Sequence, residues 1–457
     1  MAMYARAPVW VQNLLISAYG YRLRRLRYGP VGRETLARLR ESGRKSAKEI
    51  ERERLRILSG VVERAISDVP FYRNRGLRNI SFQSFEDLSE MPVLTKSDVQ
   101  AAGRELISDV YRDRRLTEIH TGGTTGKPLA VYCDTEVLQR NYAFFTHFKE
   151  TAGIREGDRT ATFAGRTLVP VNSRGPYWRR NYAANAMLFS SYHIGPATLA
   201  GYVAALADFK PALIDSYPSS IEPIARFIID RGITAIRPRA VITSSETLFP
   251  AVRELIERAF ACRVFDHYGS AEMAALITQC ERGTYHVEPE FGFVELLQDG
   301  RPVKPGERGE IVATGFINPV MPLTRYRMGD YAIRGSGQCE CGRVGETIDR
   351  IEGRMDDVII TPEGNLVGRL DPIFKSVASL YETRIVQDRA DHIRVEVVAS
   401  TDFTEKMERE LIEQLRARVG PSMRIDVARV DKIERTGSGK LRTTVNLVYG
   451  QPRDRSE

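Results

Sequence analysis

Long apolar runs are missing from this 457-residue sequence. None approaches the roughly 18 consecutive apolar residues that a bilayer-spanning helix needs. An apolar patch near the N-terminus is followed by no small-residue cleavage site, so no secretory leader is expected. Cysteine is scarce. Five in a chain of this length point away from a disulfide framework and toward a cytoplasmic compartment where thiols stay reduced. Internal repeats and low-complexity tracts are absent. No nucleic-acid recognition motif accompanies the positive charge, which argues against a nucleic-acid partner.

What is present is an ordinary globular composition on a chain long enough for a large core and more than one domain. The net charge is +8, and much of it lies early, in Arg22, Arg24, Arg25, Arg27, Arg33, Arg38, Arg40, Arg44, Lys45 and Lys48. Trp10, Leu14, Leu15 and Tyr21 precede or border this run. An apolar stripe followed by arginines suits peripheral contact with an anionic membrane. It equally suits a solvated helix face packed on its own domain.

Residues around Ala47 to Ala65 read as a helix that "VPFYRNRG" breaks, and "FEDLSEMPVLTKSDV" leads into the main domain. From His120 to about Asp349, short β-rich runs alternate with helical stretches. "PALIDSYPS" reads as strand then turn, and "SIEPIARFIIDRGI" as a helix stopped by Gly232. "RAVITSSE" reads as a buried strand, and "LFPAVRELIERAFACRVFDHYGSAE" as helix, strand and loop. Such alternation predicts a largely parallel sheet flanked by helices. Ligands of such sheets bind beyond the carboxyl ends of the strands, where "SYPSS", "TSSE" and "YGSAE" all fall. After Arg354 the pattern changes. "DDVIITPEGNLV" predicts a hairpin, "HIRVEVVAS" and "MRIDVARV" predict strands, and Met407, Leu411, Leu415 and Val419 share one helical face. The expected fold is α/β. A large N-terminal domain of parallel-rich β-sheets flanked by helices would carry a small, mobile α+β C-terminal domain. The expected boundaries are 1–118 for a helical region and lead-in segment, 119–355 for the large-domain core, and 356–457 for the small domain.

"HTGGTTGKPL", residues 120–129, is built like a phosphate cradle, with hydroxyls, unencumbered backbone N–H groups and one ammonium. It fails the P-loop pattern twice. Thr121 stands where the first glycine belongs, and Pro128 follows Lys127 where a magnesium-binding hydroxyl belongs. Taken alone, the loop is as readily a surface turn.

Four further segments follow in order: "FDHYGSAE" (265–272), "RYRMGD" (325–330), "IEGRMDDVI" (351–359) and "RTGSGKLR" (435–442). Together the five resemble the adenylate-forming superfamily of acyl-CoA synthetases, luciferases and peptide-synthetase adenylation domains. Within it they are most similar to the phenylacetate–CoA ligase branch and its CapK-like members, over nearly the whole chain. The resemblance implies ATP-dependent activation of a carboxylic acid as acyl-AMP, with pyrophosphate released. Acyl transfer to coenzyme A or another small nucleophile would follow.

It also implies site residues. Thr121, Gly122, Gly123, Thr124, Thr125, Gly126 and Lys127 would hold the β- and γ-phosphates. Tyr268, with Gly269 and Ser270 beside it, would stack on adenine. Ser244, Ser245 and Glu246 resemble the strand end next to that base. Glu272 would help hold Mg²⁺. Asp330 would accept from both ribose hydroxyls. Arg354 would approach ribose or phosphate. Lys440 would stabilise the charge of the adenylation transition state, and Asp356 would be the hinge between two orientations of the small domain. If coenzyme A is the acceptor, the turn near Gly364 would line its tunnel.

Cys280 and His286 in "CERGTYH", with Cys339 and Cys341 in "CEC", supply three thiolates and one imidazole, a set that fits tetrahedral Zn²⁺. C-x-C is tighter than the usual C-x-x-C, but the pattern resembles a zinc site found in some phenylacetate–CoA ligases. A full ligand set leaves no open position, so a structural role is expected. The alternative is three buried thiols and an unrelated histidine. Cys133 and Cys262 read as core residues. Candidate acyl-pocket residues are Phe144, Phe145, Tyr192, His193, Tyr217 and Ser219, since aromatics suit an acyl or aryl group. The acceptor is expected to be a separate molecule. Two competing functions are adenylyl transfer, in which AMP stays on the product, and a nucleotide-binding scaffold for polysaccharide assembly. The presence of Lys440, Glu272 and Asp330 argues against the scaffold.

Overall fold

The computed structural model describes residues 4, 6–43, 45–77, 82–120, 129–164, 168, 169, 173–195, 197–354, 359–362, 366, 367, 370, 373, 374, 377, 379–435 and 441–448. Its centre is a 13-stranded mixed sheet. Five strands run parallel in the order Ala186–Ser190, Thr160–Ala164, Leu213–Ser216, Ala240–Ser244 and Arg263–Gly269. Strand Leu276–Gln279 then pairs antiparallel with the last of these, and the rest of the sheet continues in antiparallel register.

The parallel strands are short apolar runs because helices cover both of their faces. Ile214 and Val241 pack with Leu206, Ile221, Ile224, Ile256 and Phe260 from helices Leu199–Phe209, Pro218–Asp230 and Pro250–Phe260. Leu213, Ala240, Ile242 and Phe265 point the other way, onto Phe148 of helix Thr135–Thr151. Gly232, at φ 62, lies just past helix Pro218–Asp230, in the left-handed conformation that favours glycine. Helix Ala47–Asp68 begins at a capping box of Ser46 and Glu49 and joins the core of the antiparallel half through Leu58, Val62 and Ala65. It is the helix expected around Ala47 to Ala65.

The C-terminal residues form a separate four-stranded sheet, in the order Arg424–Arg429, His392–Ala399, Leu380–Arg389 and Thr444–Asn446. Helix Glu405–Val419 covers it. Leu411, Leu415 and Val419 are buried with Ile385, Val395, Phe403 and Ile425, and Met407 packs at the margin. The helix starts on Thr404, whose hydroxyl accepts from Met407 N–H, and stops at Gly420, φ 95. Ile359–Ile360 and Leu366–Val367 pair as the expected hairpin. The fold is therefore α/β with a small α+β unit at the C-terminus.

Candidate active site

The strand register brings three of the sequence segments to one edge. Ser216 pairs with Thr243, and Ser244 with His267, so "SYPSS", "TSSE" and "YGSAE" leave the sheet side by side at the carboxyl ends of parallel strands. Ser245 is exposed and holds φ 69, a left-handed conformation uncommon for a residue with a side chain. Such backbone strain clusters at ligand-binding positions.

Tyr268 and Asp330 come from strands far apart in sequence, and the Tyr268 hydroxyl donates to Asp330 Oδ2 at 2.7 Å. Tyr326 Oη donates to Glu272 Oε1 at 3.4 Å. Asp330 is the register partner of Arg354, whose side chain is outside the described residues. Ser270 Oγ is buried without a hydrogen-bond partner among the described residues. Thus Tyr268, Gly269, Ser270, Glu272 and Asp330 form one constellation. Beneath it, Asp266 accepts from the hydroxyls of Thr243 at 2.6 Å and Tyr285 at 2.6 Å. Burial pushes its carboxyl up to about 6 despite these donors. This network ties the Tyr268 strand to its neighbours.

Glu246 serves a contact that the sequence did not suggest. Its carboxylate accepts from Ser219 N–H at 3.0 Å and Ser219 Oγ at 2.9 Å, in the first turn of helix Pro218–Asp230. Its Oε1 also accepts from Leu441 N–H at 3.1 Å. Leu441 belongs to the C-terminal unit and directly follows Lys440 in the chain. Arg435 completes the junction, donating to Ser219 Oγ at 3.3 Å and pairing with Glu382 at 2.6 Å, with its side chain 6% exposed. Burial raises the Glu246 carboxyl above its ordinary range, while the Ser219 donors and Arg435 act against that.

The expected acyl-pocket residues separate. Phe144 is a correction: it is 2% exposed and packs edge-to-face on Phe291 in the main core, 5.1 Å between centroids. An amphipathic helix turns that position inward, where it fills volume. Ser219 is engaged at the domain junction. Tyr217 is half-buried at the start of the same helix, and Tyr192 is half-buried near the positive field of Arg435. His193 has its Nδ1 within 2.8 Å of Ser190 Oγ and stacks on Tyr177 at 4.5 Å. Phe145 is partly buried beside Gly269 and His267. Thr121 to Lys127, Asp356, Gly364 and Lys440 lie outside the described residues; His120 and Ala130 are register partners where the hairpin leads into the first loop. Tyr326, Arg435 and Glu382 were missed. The first two stand inside the quoted segments "RYRMGD" and "RTGSGKLR", so position in a motif was their available signal.

Cys280, His286, Cys339 and Cys341 converge, with their ligand atoms all within 4.8 Å of one another. Cys280 Sγ lies 3.7 Å from Cys339 Sγ, and His286 Nε2 lies 3.4 Å from Cys341 Sγ. A tetrahedral ion about 2.3 Å from each sulfur sets sulfurs about 3.8 Å apart, so the spacing fits such an ion. Backbone N–H groups of Arg282 and Arg343 point at two of the sulfurs. Burial and the neighbouring Arg343 hold His286 neutral, its pKa pushed down to about 4. Cys133 is fully buried and Cys262 packs against the core, as expected.

Residues 359–447 match the CapK C-terminal domain family. Protein CapK of Staphylococcus aureus is 28% identical over 456 residues, 98% of this chain and 99% of that one. Its C-terminal unit matches that family, and the whole chain is similar to CapK. The chain is also similar to the phenylacetate-coenzyme A ligase of Thermus thermophilus, at 26% over 331 residues, covering 69% of this chain and 72% of the ligase. In three dimensions it resembles a 2-hydroxyisobutyryl-CoA ligase in its postadenylation state, with TM-score 0.70 at 22% identity, over 88% of this chain and 90% of that one. The same ligase in its thioesterification state, over the same coverage, gives 0.54. The fold of this chain therefore superposes better on the first of these two structures. No helix among the described residues is long and apolar enough to cross a membrane.

Proposed function

We propose that this protein activates a carboxylic acid with ATP and passes the acyl group to coenzyme A or another small nucleophile. The Tyr268–Asp330 pair carries the reading. It sets an aromatic face and a carboxylate side by side at the sheet edge where nucleotides bind, with Glu272 close by. One carboxylate oxygen of the substrate attacks the α-phosphorus of ATP, and pyrophosphate leaves with the bond electrons. The nucleophile then attacks the acyl carbon, and AMP departs. Asp330 orients the ribose, Tyr268 the base, and Lys440 offsets the charge built up at phosphorus. Magnesium, held with the help of Glu272, would neutralise the phosphate oxygens. The junction of Glu246 with Leu441 supports a structure posed for adenylation, because it anchors the segment next to Lys440. The Cys₃His cluster is proposed as a structural zinc site, because a full set of four ligands leaves no open position.

The test is pyrophosphate release from ATP and Mg²⁺ across a panel of aryl, fatty and amino acids. The expected result is release that depends on one class of acid and falls about 100-fold or more in Lys440→Ala and Glu272→Gln. Release of ADP and phosphate alone would contradict the mechanism. Turnover that leaves AMP on the product would assign the protein to adenylyl transfer.

A further inference from the structure

The N-terminal helix Val9–Arg27 is oriented against the usual rule for a surface helix. Its polar side faces the protein. Gln12 Oε1 accepts from Arg179 Nε at 2.5 Å, Asn13 Oδ1 from Arg180 N–H at 2.9 Å, and Ser17 Oγ from Tyr182 N–H at 2.9 Å. Gly20 lies so close to Asn181 that a Cβ would overlap its amide. The side chains turned to solvent are Trp10, Leu14, Leu15, Tyr19 and Tyr21, each more than half exposed. At about 3.6 residues per turn, Trp10, Leu14 and Tyr21 form one stripe, Leu15 and Tyr19 a second, and Arg22 and Arg25 lie between them at the C-terminal end. Single exposed apolar residues are ordinary, but five within one short helix form a patch that calls for a partner.

Charge selects that partner. The first 33 residues contain six arginines and no aspartate or glutamate. Arg24 is neutralised by Glu156 at 2.7 Å. Arg22 and Arg25 have no ion pair among the described residues, and Arg25 lies over the Tyr21 ring at 5.1 Å. A second copy of the chain would bring the same arginines together with no acid in the segment to offset them. We propose that this face docks on an anionic membrane surface. Trp10, Leu14 and Leu15 enter the boundary between headgroups and acyl chains, the tyrosines sit at headgroup level, and Arg22 and Arg25 meet lipid phosphates. The helix lies in the plane of the surface and does not cross it. The proposal is independent of the ligase reading.

The test is flotation of the full-length protein with vesicles of phosphatidylcholine, with or without phosphatidylglycerol. Trp10 reports directly, because the other tryptophan, Trp178, is half-buried against Phe189 and Tyr202. Binding to the anionic vesicles, with a blue shift of tryptophan emission, is expected. Binding should weaken about tenfold or more in Trp10→Ser/Leu14→Ser/Leu15→Ser, and separately in Arg22→Glu/Arg25→Glu, with the melting temperature and pyrophosphate release retained. If the triple variant fails to fold, the charge variant decides. No flotation, equal binding to neutral vesicles, or undiminished binding by the variants would overturn the proposal. A dimer abolished by the triple variant, without vesicle binding, would assign the face to a second copy.

Discussion

His267 lies between the rings of Phe145 and Phe148, 5.2 and 5.4 Å away, and its Nδ1 has no hydrogen-bond partner among the described residues. Burial holds the ring neutral, its pKa lowered to about 4. The unfolded chain takes up that proton near the ordinary value, so the histidine's contribution is intact above about 6.5 and is lost as pH falls toward 4. Removing the group should reverse this. His267→Gln should gain stability relative to the native chain as pH falls through that window, by roughly 3 kcal/mol at most. Urea melts at several pH values would show it, and a pH-independent difference would refute it. Tyr268→Phe is the second test at this scale. It keeps the ring and removes the hydroxyl that donates to Asp330. The KM for ATP should rise about threefold to tenfold while kcat changes little; a change in kcat alone would place Tyr268 elsewhere in the reaction.

At the scale of elements stands the Cys₃His cluster. Cys280 directly follows strand Leu276–Gln279, His286 lies in the next strand, and Cys339 and Cys341 lie in the connection between Tyr326–Arg334 and Thr347–Arg354. A bound ion would cross-link these strands beside the one that carries Tyr268, and its binding energy would become folding energy. Protein purified without chelator should contain about one zinc per chain. Cys280→Ala or prolonged chelation should remove it and lower the melting temperature by several degrees. Substoichiometric metal in the native protein, or no change on its removal, would leave the four side chains as an ordinary buried cluster.

Across the whole molecule, the contacts of Glu246 and Arg435 join the C-terminal unit to the large sheet. A protein that uses its small unit in two orientations must break these contacts between steps. Glu246→Ala should therefore slow pyrophosphate release while leaving acyl transfer from supplied acyl-AMP near the native rate. Arg435→Ala should do the same, and also loosen Glu382. Equal losses in both half-reactions would show that the junction supports folding rather than orientation.

Local pattern sufficed for much of this architecture. Apolar runs between helical stretches specified the parallel strands, the Met407 to Val419 spacing specified the C-terminal helix, and strand polarity placed "SYPSS", "TSSE" and "YGSAE" at one edge, because helix and strand periods are written residue by residue. The four metal-type ligands were legible by their chemistry, though only folding brings residues 280 and 341 together. Other features depend on partners distant in sequence. Phe144 and Phe145 are the same residue type, one turned to the core and the other to the site margin, and helix docking alone distinguishes them. Glu246 meets Leu441, and Tyr268 meets Asp330, across separations that no local pattern encodes. The N-terminal segment shows the division most clearly. Its apolar residues and arginines were visible in the sequence. Which side of the helix faces water was decided by the hydrogen bonds of Gln12, Asn13 and Ser17 to strand Trp178–Asn181 and the turn after it, more than 150 residues away.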